Sequence, residues 1–256
     1  MRIIFLGTGT STGVPEIGCR CRVCSSPDPR DKRLRTSAMV KSNGRNILID
    51  CGPDFRQQML AHNIDRIDAV LLTHEHYEQV GGLDDLRPFC ADRGMDVYAE
   101  EAVLEAIRTR MPYAFREHRV KGLPELSLHA VGDEPFFVAD EVEVTPVRVM
   151  HGCLPIVGFR IGEIAYLTDI SNIPDDQYKK LNNLRILAVD ALRKRRHLTH
   201  QTLEEALMQI ERIGPELACL IHISHHFGLY SEENVLLPKG VQIGYDGLSL
   251  STDDTT

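Results

Sequence analysis

The sequence predicts one α/β domain over residues 1–256, with two sheets at its centre and helices outside. Three observations carry that prediction. Apolar strand patterns come first, and then strands and helices alternate, twice over. No composition shift, linker or low-complexity run divides the chain. At its middle, residues 69–83 (AVLLTHEHYEQVGGL) read as a short buried strand followed by a turn carrying His74, His76, Glu78 and Gln79, closed by Gly81 and Gly82.

Residues 2–7 alternate into an apolar strand. The run Gly7-Thr8-Gly9-Thr10-Ser11-Thr12-Gly13 reads as a tight turn with glycines at positive φ. A phosphate cradle is disfavoured because no Gly-Lys-Ser/Thr follows and the run leads to cysteines and prolines. Cys19, Cys21 and Cys24 come next, then a polar connector over 25–35. Residues 37–41 and 46–50 predict a hairpin around Ser42-Asn43-Gly44, whose second strand ends at Asp50, and 54–63 predict a short helix. After the central strand come a strand at 96–99 and a helix over 101–111, stopped by Pro112, while 113–134 carry no clear pattern. Residues 136–149 alternate as one strand running into His151, and 157–161 with 164–168 form a hairpin over Gly162-Glu163 that ends at Asp169. Residues 185–189 end at Asp190. Thr202 and Glu205 offer a capping box for a helix to about 213, terminated by Gly214-Pro215. Residues 217–221 end at His222, and a strand near 241–245 precedes a polar tail.

Composition narrows the function classes. Apolar and charged fractions of 43% and 26% are those of an ordinary globular protein. No apolar run approaches a membrane span, and MRIIFLGTG lacks the regions of a signal peptide, so no membrane partner and a cytoplasmic location are expected. The net charge of −8, without a basic tail or helix, argues against a nucleic-acid polymer. A small anionic substrate fits if a metal supplies local positive charge. Seven cysteines cannot pair completely, and the Cys19/Cys21/Cys24 cluster is of the kind that binds metal in a reducing compartment. The scattered Cys51, Cys90, Cys153 and Cys219 read as small buried hydrophobes.

The informative regularity is the placement of Asp50, His74, His151, Asp169, Asp190 and His222, each at the C-terminal end of a predicted strand. Such ends converge at one edge of a sheet. Neutral imidazole is the commonest metal ligand, and carboxylates add the charge a divalent cation needs.

The run from Thr73 to Gly82 resembles the metallo-β-lactamase superfamily motif, His-x-His-x-Asp-His followed by paired small residues, and the likeness extends over essentially the whole chain. The Cys19/Cys21/Cys24 cluster, His222-Ile223-Ser224-His225 and His200 resemble the PhnP-type phosphodiesterases within it. That resemblance implies a four-layer αββα sandwich, a dinuclear Mn or Zn centre (one or two ions being expected in this chain), hydrolysis of small phosphodiesters (cyclic ones included) and a homodimer. It implies that His74, His76 and His151 hold a first ion and that Asp169 bridges to a second, served by Asp169, His222 and whatever stands at 78 and 79. A shared water of lowered pKa would attack the phosphoryl group, with His200 binding phosphate or protonating the leaving group. His200 equally reads as a helix-start histidine. Asp50 and Asp190 resemble carboxylates that orient ligating imidazoles, and equally read as strand-end turn residues.

The chain departs from the motif at two positions. Glu78 replaces Asp and carries its charge one methylene, about 1.5 Å, further out, against a ~0.2 Å tolerance on ligand distances. Gln79 replaces His and leaves only a neutral amide oxygen, a tolerable ligand for Mn and a poor one for Zn. A tight first ion and a weak second one are expected. The alternative is a degenerate, non-hydrolytic relative that binds a small phosphorylated ligand; a small ester substrate is not excluded. Cys19, Cys21 and Cys24 supply three ligands of a structural Zn, and His225, with His226 as runner-up, is the candidate fourth.

Overall fold

In the computed structural model, which describes residues 1–90, 93–116 and 122–253, two seven-stranded sheets pack face to face. The first contains β1 (Arg2–Gly7), β2 (Ser37–Ser42), β3 (Arg45–Ile49), β4 (Ala69–Leu71), β5 (Met95–Ala99) and β6 (Leu126–Ala130), side by side in that order. The second contains β7 (Phe136–Val138), β8 (Val142–His151), β9 (Leu154–Ile161), β10 (Ile164–Leu167), β11 (Ile186–Asp190), β12 (Leu217–Ile221) and β13 (Val241–Ile243), again in chain order. A last strand, β14 (Ser249–Ser251), joins the first sheet outside β1.

Side chains alternate between the faces of a strand, and here both faces are buried. From β3, Ile47 and Ile49 enter the layer between the sheets with Phe5, Phe159, Tyr166 and Ile221. Leu48 points the other way, into a layer with Phe55 and Met59 of α1 (Phe55–His62). The outer face of the second sheet is covered by Ala206 and Ile210, carried on a helix at Leu203–Ile213. The result is the expected αββα sandwich. Strands buried on both sides read as continuous apolar runs, which is why they stood out in the sequence.

Local signals work as their chemistry dictates. The β2–β3 hairpin turns at Asn43 and Gly44, both at positive φ. Thr202 Oγ1 accepts the Glu205 N–H at 3.2 Å while the Glu205 carboxylate accepts the Thr202 N–H at 2.7 Å, and Gly214 closes that helix in the left-handed region.

Three expectations are corrected. Residues 136–149 are not one strand: Ala139 and Asp140 adopt positive φ and fold the segment into the β7–β8 hairpin. The polar tail is not all tail, because β14 pairs antiparallel with β1. In the Gly7–Gly13 turn only Gly13 has positive φ; Gly7 and Gly9 are required by close approach, since a Cβ on either would collide with backbone oxygens of Arg35 or of Arg33 and Leu34. Within 113–134, the described part holds β6. Among the described residues no helix is long and apolar enough to cross a membrane.

Candidate metal centre

β3 and β4 run parallel, as do β10, β11 and β12, so each set delivers its C-terminal ends to one edge. Asp50 follows β3, His74 lies just past β4, His151 ends β8, Asp169 lies just past β10, Asp190 ends β11 and His222 follows β12. Asp50, Asp169 and His222 all have left-handed backbone (φ of 61°, 58° and 57°). Strain of this kind clusters where side chains must be aimed.

The side chains of His74 and His76 meet: His74 Nε2 lies 2.9 Å from His76 Nδ1. Behind them, Thr73 Oγ1 donates to Asp50 at 3.0 Å and lies 3.0 Å from His74 Nδ1. With its one proton on Asp50, the hydroxyl accepts from His74 Nδ1–H, which leaves the Nε2 lone pair facing His76. His151 donates from Nδ1 to the Asp169 carbonyl at 2.7 Å, freeing its Nε2 in the same way. Donor atoms of His151, Asp169 and His200 lie within 4.8 Å of one another. Ring centroids are 5.3 Å apart for His76–His151 and 4.7 Å for His151–His200. These groups, with Ser11, Tyr77 and Glu78, line a polar cavity of about 370 Å³. Glu78 Oε1 comes within 3.9 Å of His76 Nδ1.

Other candidate residues stand differently from expectation. Gln79 is fully buried on the short helix α2 (Tyr77–Val80); its Nε2 donates to Asp169 Oδ2 at 3.2 Å and its Oε1 has no partner. His222 is also fully buried, behind Asp169. Its Nε2 lies 3.2 Å from Thr10 Oγ1, and its Nδ1 3.1 Å from Thr36 Oγ1 and 3.2 Å from Asp169 Oδ2. His200 is not on a helix: it precedes the N-cap Thr202 by two residues, with Nδ1 3.3 Å from Asp190 Oδ2. Asp50 thus acts on His74 only through Thr73, and Asp190 faces His200.

Burial is the first cause of every charge effect in the cavity. It pushes His74, His151, His200 and His222 below the usual imidazole range, towards the neutral form that ligates. It pushes Asp50, Asp169 and Asp190 up. A carboxylate in this setting lacks a counter-charge, and the donor set of imidazoles and carboxylate suits a divalent ion.

The cysteine cluster forms a second group. The Sγ atoms of Cys19, Cys21 and Cys24 lie 3.3, 3.7 and 3.2 Å from His225 Nδ1. Tetrahedral Zn–S and Zn–N lengths give an S···N edge of about 3.6 Å, so the four atoms fit such an ion. His226 stands outside, its Nε2 3.0 Å from His225 Nε2. Burial pushes the Cys24 thiol up to about 11, whereas the Cys24 N–H lowers Cys21. Of the scattered cysteines, Cys51, Cys90 and Cys219 are buried as expected, but Cys153 is exposed.

Sequence reading missed Thr73 and Thr168, whose hydroxyls bond Asp50 and Asp169. The repeated Thr-ligand pair at two strand ends was the available signal. It also missed a basic loop, Arg193-Lys194-Arg195-Arg196, leading into His200. Arg193 binds its own loop carbonyls and Lys194 pairs with Glu233, while Arg195 and Arg196 are exposed with no acidic partner among the described residues.

Residues 45–223 match the model of the beta-lactamase superfamily domain. An octanoyltransferase of Porphyromonas gingivalis is 52% identical over 257 residues, 99% of this chain and 52% of that protein; the chain spans about half the length of that curated relative. Coenzyme PQQ synthesis protein B of Methylobacterium radiotolerans is 31% identical over 228 residues, 75% of this chain and 71% of that one. The crystal structure of a diphosphatase from the PhnP family aligns with a TM-score of 0.91 and 40% identity, covering 98% of this chain and 97% of the other.

Proposed function

The chain belongs to the β-lactamase superfamily and has the metallo-β-lactamase fold, and from that premise we propose a metal-dependent hydrolase acting on small phosphodiesters, cyclic ones included. The observation that carries the proposal is the convergence of His76, His151, Asp169 and His200 on one polar cavity, with the His74 ring packed against those of His76 and His151. His74, His76, His151 and Asp169 would hold Mn or Zn. When bound, a divalent ion supplies Lewis acidity and a water of lowered pKa.

The chain's own residues do the rest. Asp50 and Thr73 fix the tautomer of His74, the Asp169 carbonyl fixes that of His151, and Asp190 holds the His200 ring. Arg195 and Arg196, exposed and with no acidic partner among the described residues, stand in the loop that leads to His200 and add positive charge to an otherwise acidic protein, which supports an anionic substrate. Similarity to a PhnP-family diphosphatase supports chemistry at phosphorus. The chain spans about half of the longer Porphyromonas relative, so the transferase activity named for that protein is not carried over. A structural Zn on Cys19, Cys21, Cys24 and His225, a homodimer and a cytoplasmic setting belong to the same proposal.

Purified protein loaded with Mn or Zn is assayed on bis-aryl and cyclic phosphates. Turnover well above a His76→Ala control is expected, and none above that control refutes the proposal. Gln79 favours a second reading, a non-hydrolytic binder of a small phosphorylated ligand, because its amide occupies Asp169 Oδ2. Glu78→Asp with Gln79→His separates the two: a large gain from almost no activity favours the binder.

A further inference from the structure

We infer that His200 is a metal ligand, completing with His151 and Asp169 an ion position in the cavity. This rests on the reading of the cavity as an ion site and not on any particular substrate.

The argument is one of lone pairs. An ion needs acceptors, and beside Gln79 the Asp169 oxygen is already engaged. Gln79 presents Nε2–H to Asp169 Oδ2, and turning the amide over would set its Oε1 against that oxygen, acceptor to acceptor. The same Oδ2 accepts the Thr168 hydroxyl at 2.7 Å. His222 has a hydroxyl near each ring nitrogen and stacks on His200, ring centroids 4.9 Å apart.

Two imidazoles that line the cavity keep a lone pair free. His151 Nδ1–H is committed to the Asp169 carbonyl, so its Nε2 carries a lone pair. His200 Nδ1 faces Asp190 Oδ2, and with the shared proton on Nδ1 its Nε2 carries one too. A carboxylate behind the distal nitrogen is the arrangement that orients and strengthens a ligating imidazole. All three groups are buried, and their donor atoms fall within 4.8 Å of one another. Tetrahedral Zn with two nitrogens needs an edge of about 3.4 Å, and larger six-coordinate ions tolerate more, so Mn is the better fit to the spread.

The loop that carries His200 is built to hold it there. Thr199 packs its methyl against Gly152, next to His151, where a Cβ would sit 2.9 Å away. The His197 ring lies 5.1 Å from that of His200, and the Gln201 side chain donates to the Asp190 carbonyl at 2.5 Å.

The test is Mn(II) titration of chelator-treated full-length protein, followed by EPR, with ion counts by mass spectrometry. His200→Ala and His200→Gln are expected to weaken cavity binding at least tenfold and to remove an imidazole-nitrogen coupling from the pulsed-EPR spectrum. Asp190→Asn is expected to weaken it roughly tenfold, and Gln79→Ala to leave it within twofold. Circular dichroism and thermal melting check that each variant folds. Wild-type Mn affinity, count and spectrum in both His200 variants overturn the inference, as does loss of an ion in Gln79→Ala. Failure of the protein to hydrolyse any phosphodiester, with His200-dependent Mn binding intact, sinks the proposed function and supports the ligand assignment.

Discussion

Replacing Asp50 by Asn changes one atom and, by the hydrogen-bond order around it, should reverse a proton relay. In the wild type, Thr73 N–H and Oγ1–H both donate to Asp50 Oδ1, at 2.9 and 3.0 Å, with Oδ2 3.1 Å from the same hydroxyl. Asn keeps the oxygen on Thr73 N–H and turns its amide towards Thr73 Oγ1. The hydroxyl proton then turns to His74 Nδ1, 3.0 Å away, and the imidazole proton moves to Nε2, where the cavity needs a lone pair. Losing such an outer partner costs 10- to 100-fold in metal affinity, or about 1.4–2.7 kcal/mol. The pH dependence carries a sign. Burial raises Asp50 well above 3.8 in the fold, so the folded state keeps this proton longer than the unfolded one. The stability it contributes is full below pH 3.8 and is lost as pH rises through the folded value. Ion binding needs the ionised form and strengthens over the same rise. Competition with a chelator over a pH series should show wild-type affinity climbing as Asp50 ionises and Asp50→Asn lower and flatter. In ion-free protein the stability of Asp50→Asn minus that of wild type should grow with pH, by up to about 1.4 kcal/mol per unit. An Asn variant that binds Mn within twofold of wild type at the high end of that series refutes the relay.

Removing an ion from the cysteine cluster releases a cross-link across the 201 positions between Cys24 and His225. Loop closure of that length is worth about 5 kcal/mol, which for 256 residues lowers Tm by about 10 °C; scanning calorimetry of Cys24→Ser checks it, and a change under 2 °C contradicts it. Thr202→Ala removes the capping box and should cost about 1 kcal/mol in urea unfolding. Gly52→Ala drives a Cβ into the Glu78 carbonyl; it should cost roughly 1–3 kcal/mol and weaken Mn binding as well, because the backbone that must yield carries the turn between His76 and Gln79.

The layered fold and the strand-end placement of candidate ligands were legible because strands buried on both faces are continuous apolar runs, and six of them led to a residue with metal chemistry. The hairpin at Asn43-Gly44 and the capping box at Thr202 announced themselves through residues whose side chains or φ angles do the work locally. What was hidden lacked such signals. Ala139 and Asp140 turn the chain without glycine or proline, so β7 and β8 read as one strand. β6 and β14 lie at sheet edges, where polar residues are tolerated and alternation fades. The sequence showed that Gln79 is a poor ligand, but the partner of its amide depends on Asp169, 90 positions away. His200 looked like part of a helix because Thr202 starts one two residues later. The basic loop went unnoticed against a net charge of −8.

The cavity's side chains come from both halves of the sandwich: His74, His76 and Glu78 leave the first sheet, whereas His151, Asp169 and His200 leave the second. An ion gripped by both sets would work as a hasp between two plates that meet through an apolar interior and a few hydrogen bonds, such as Gln79 to Asp169 and the Val157 N–H to the Thr73 carbonyl. At a hundredfold excess over its dissociation constant such a ligand adds about 2.7 kcal/mol to the cohesion of the whole, concentrated at the rim. Sliding of one plate past the other would open the hasp before it exposed the interior, so amide exchange at the ends of β4 and β10 should slow together when the ion arrives.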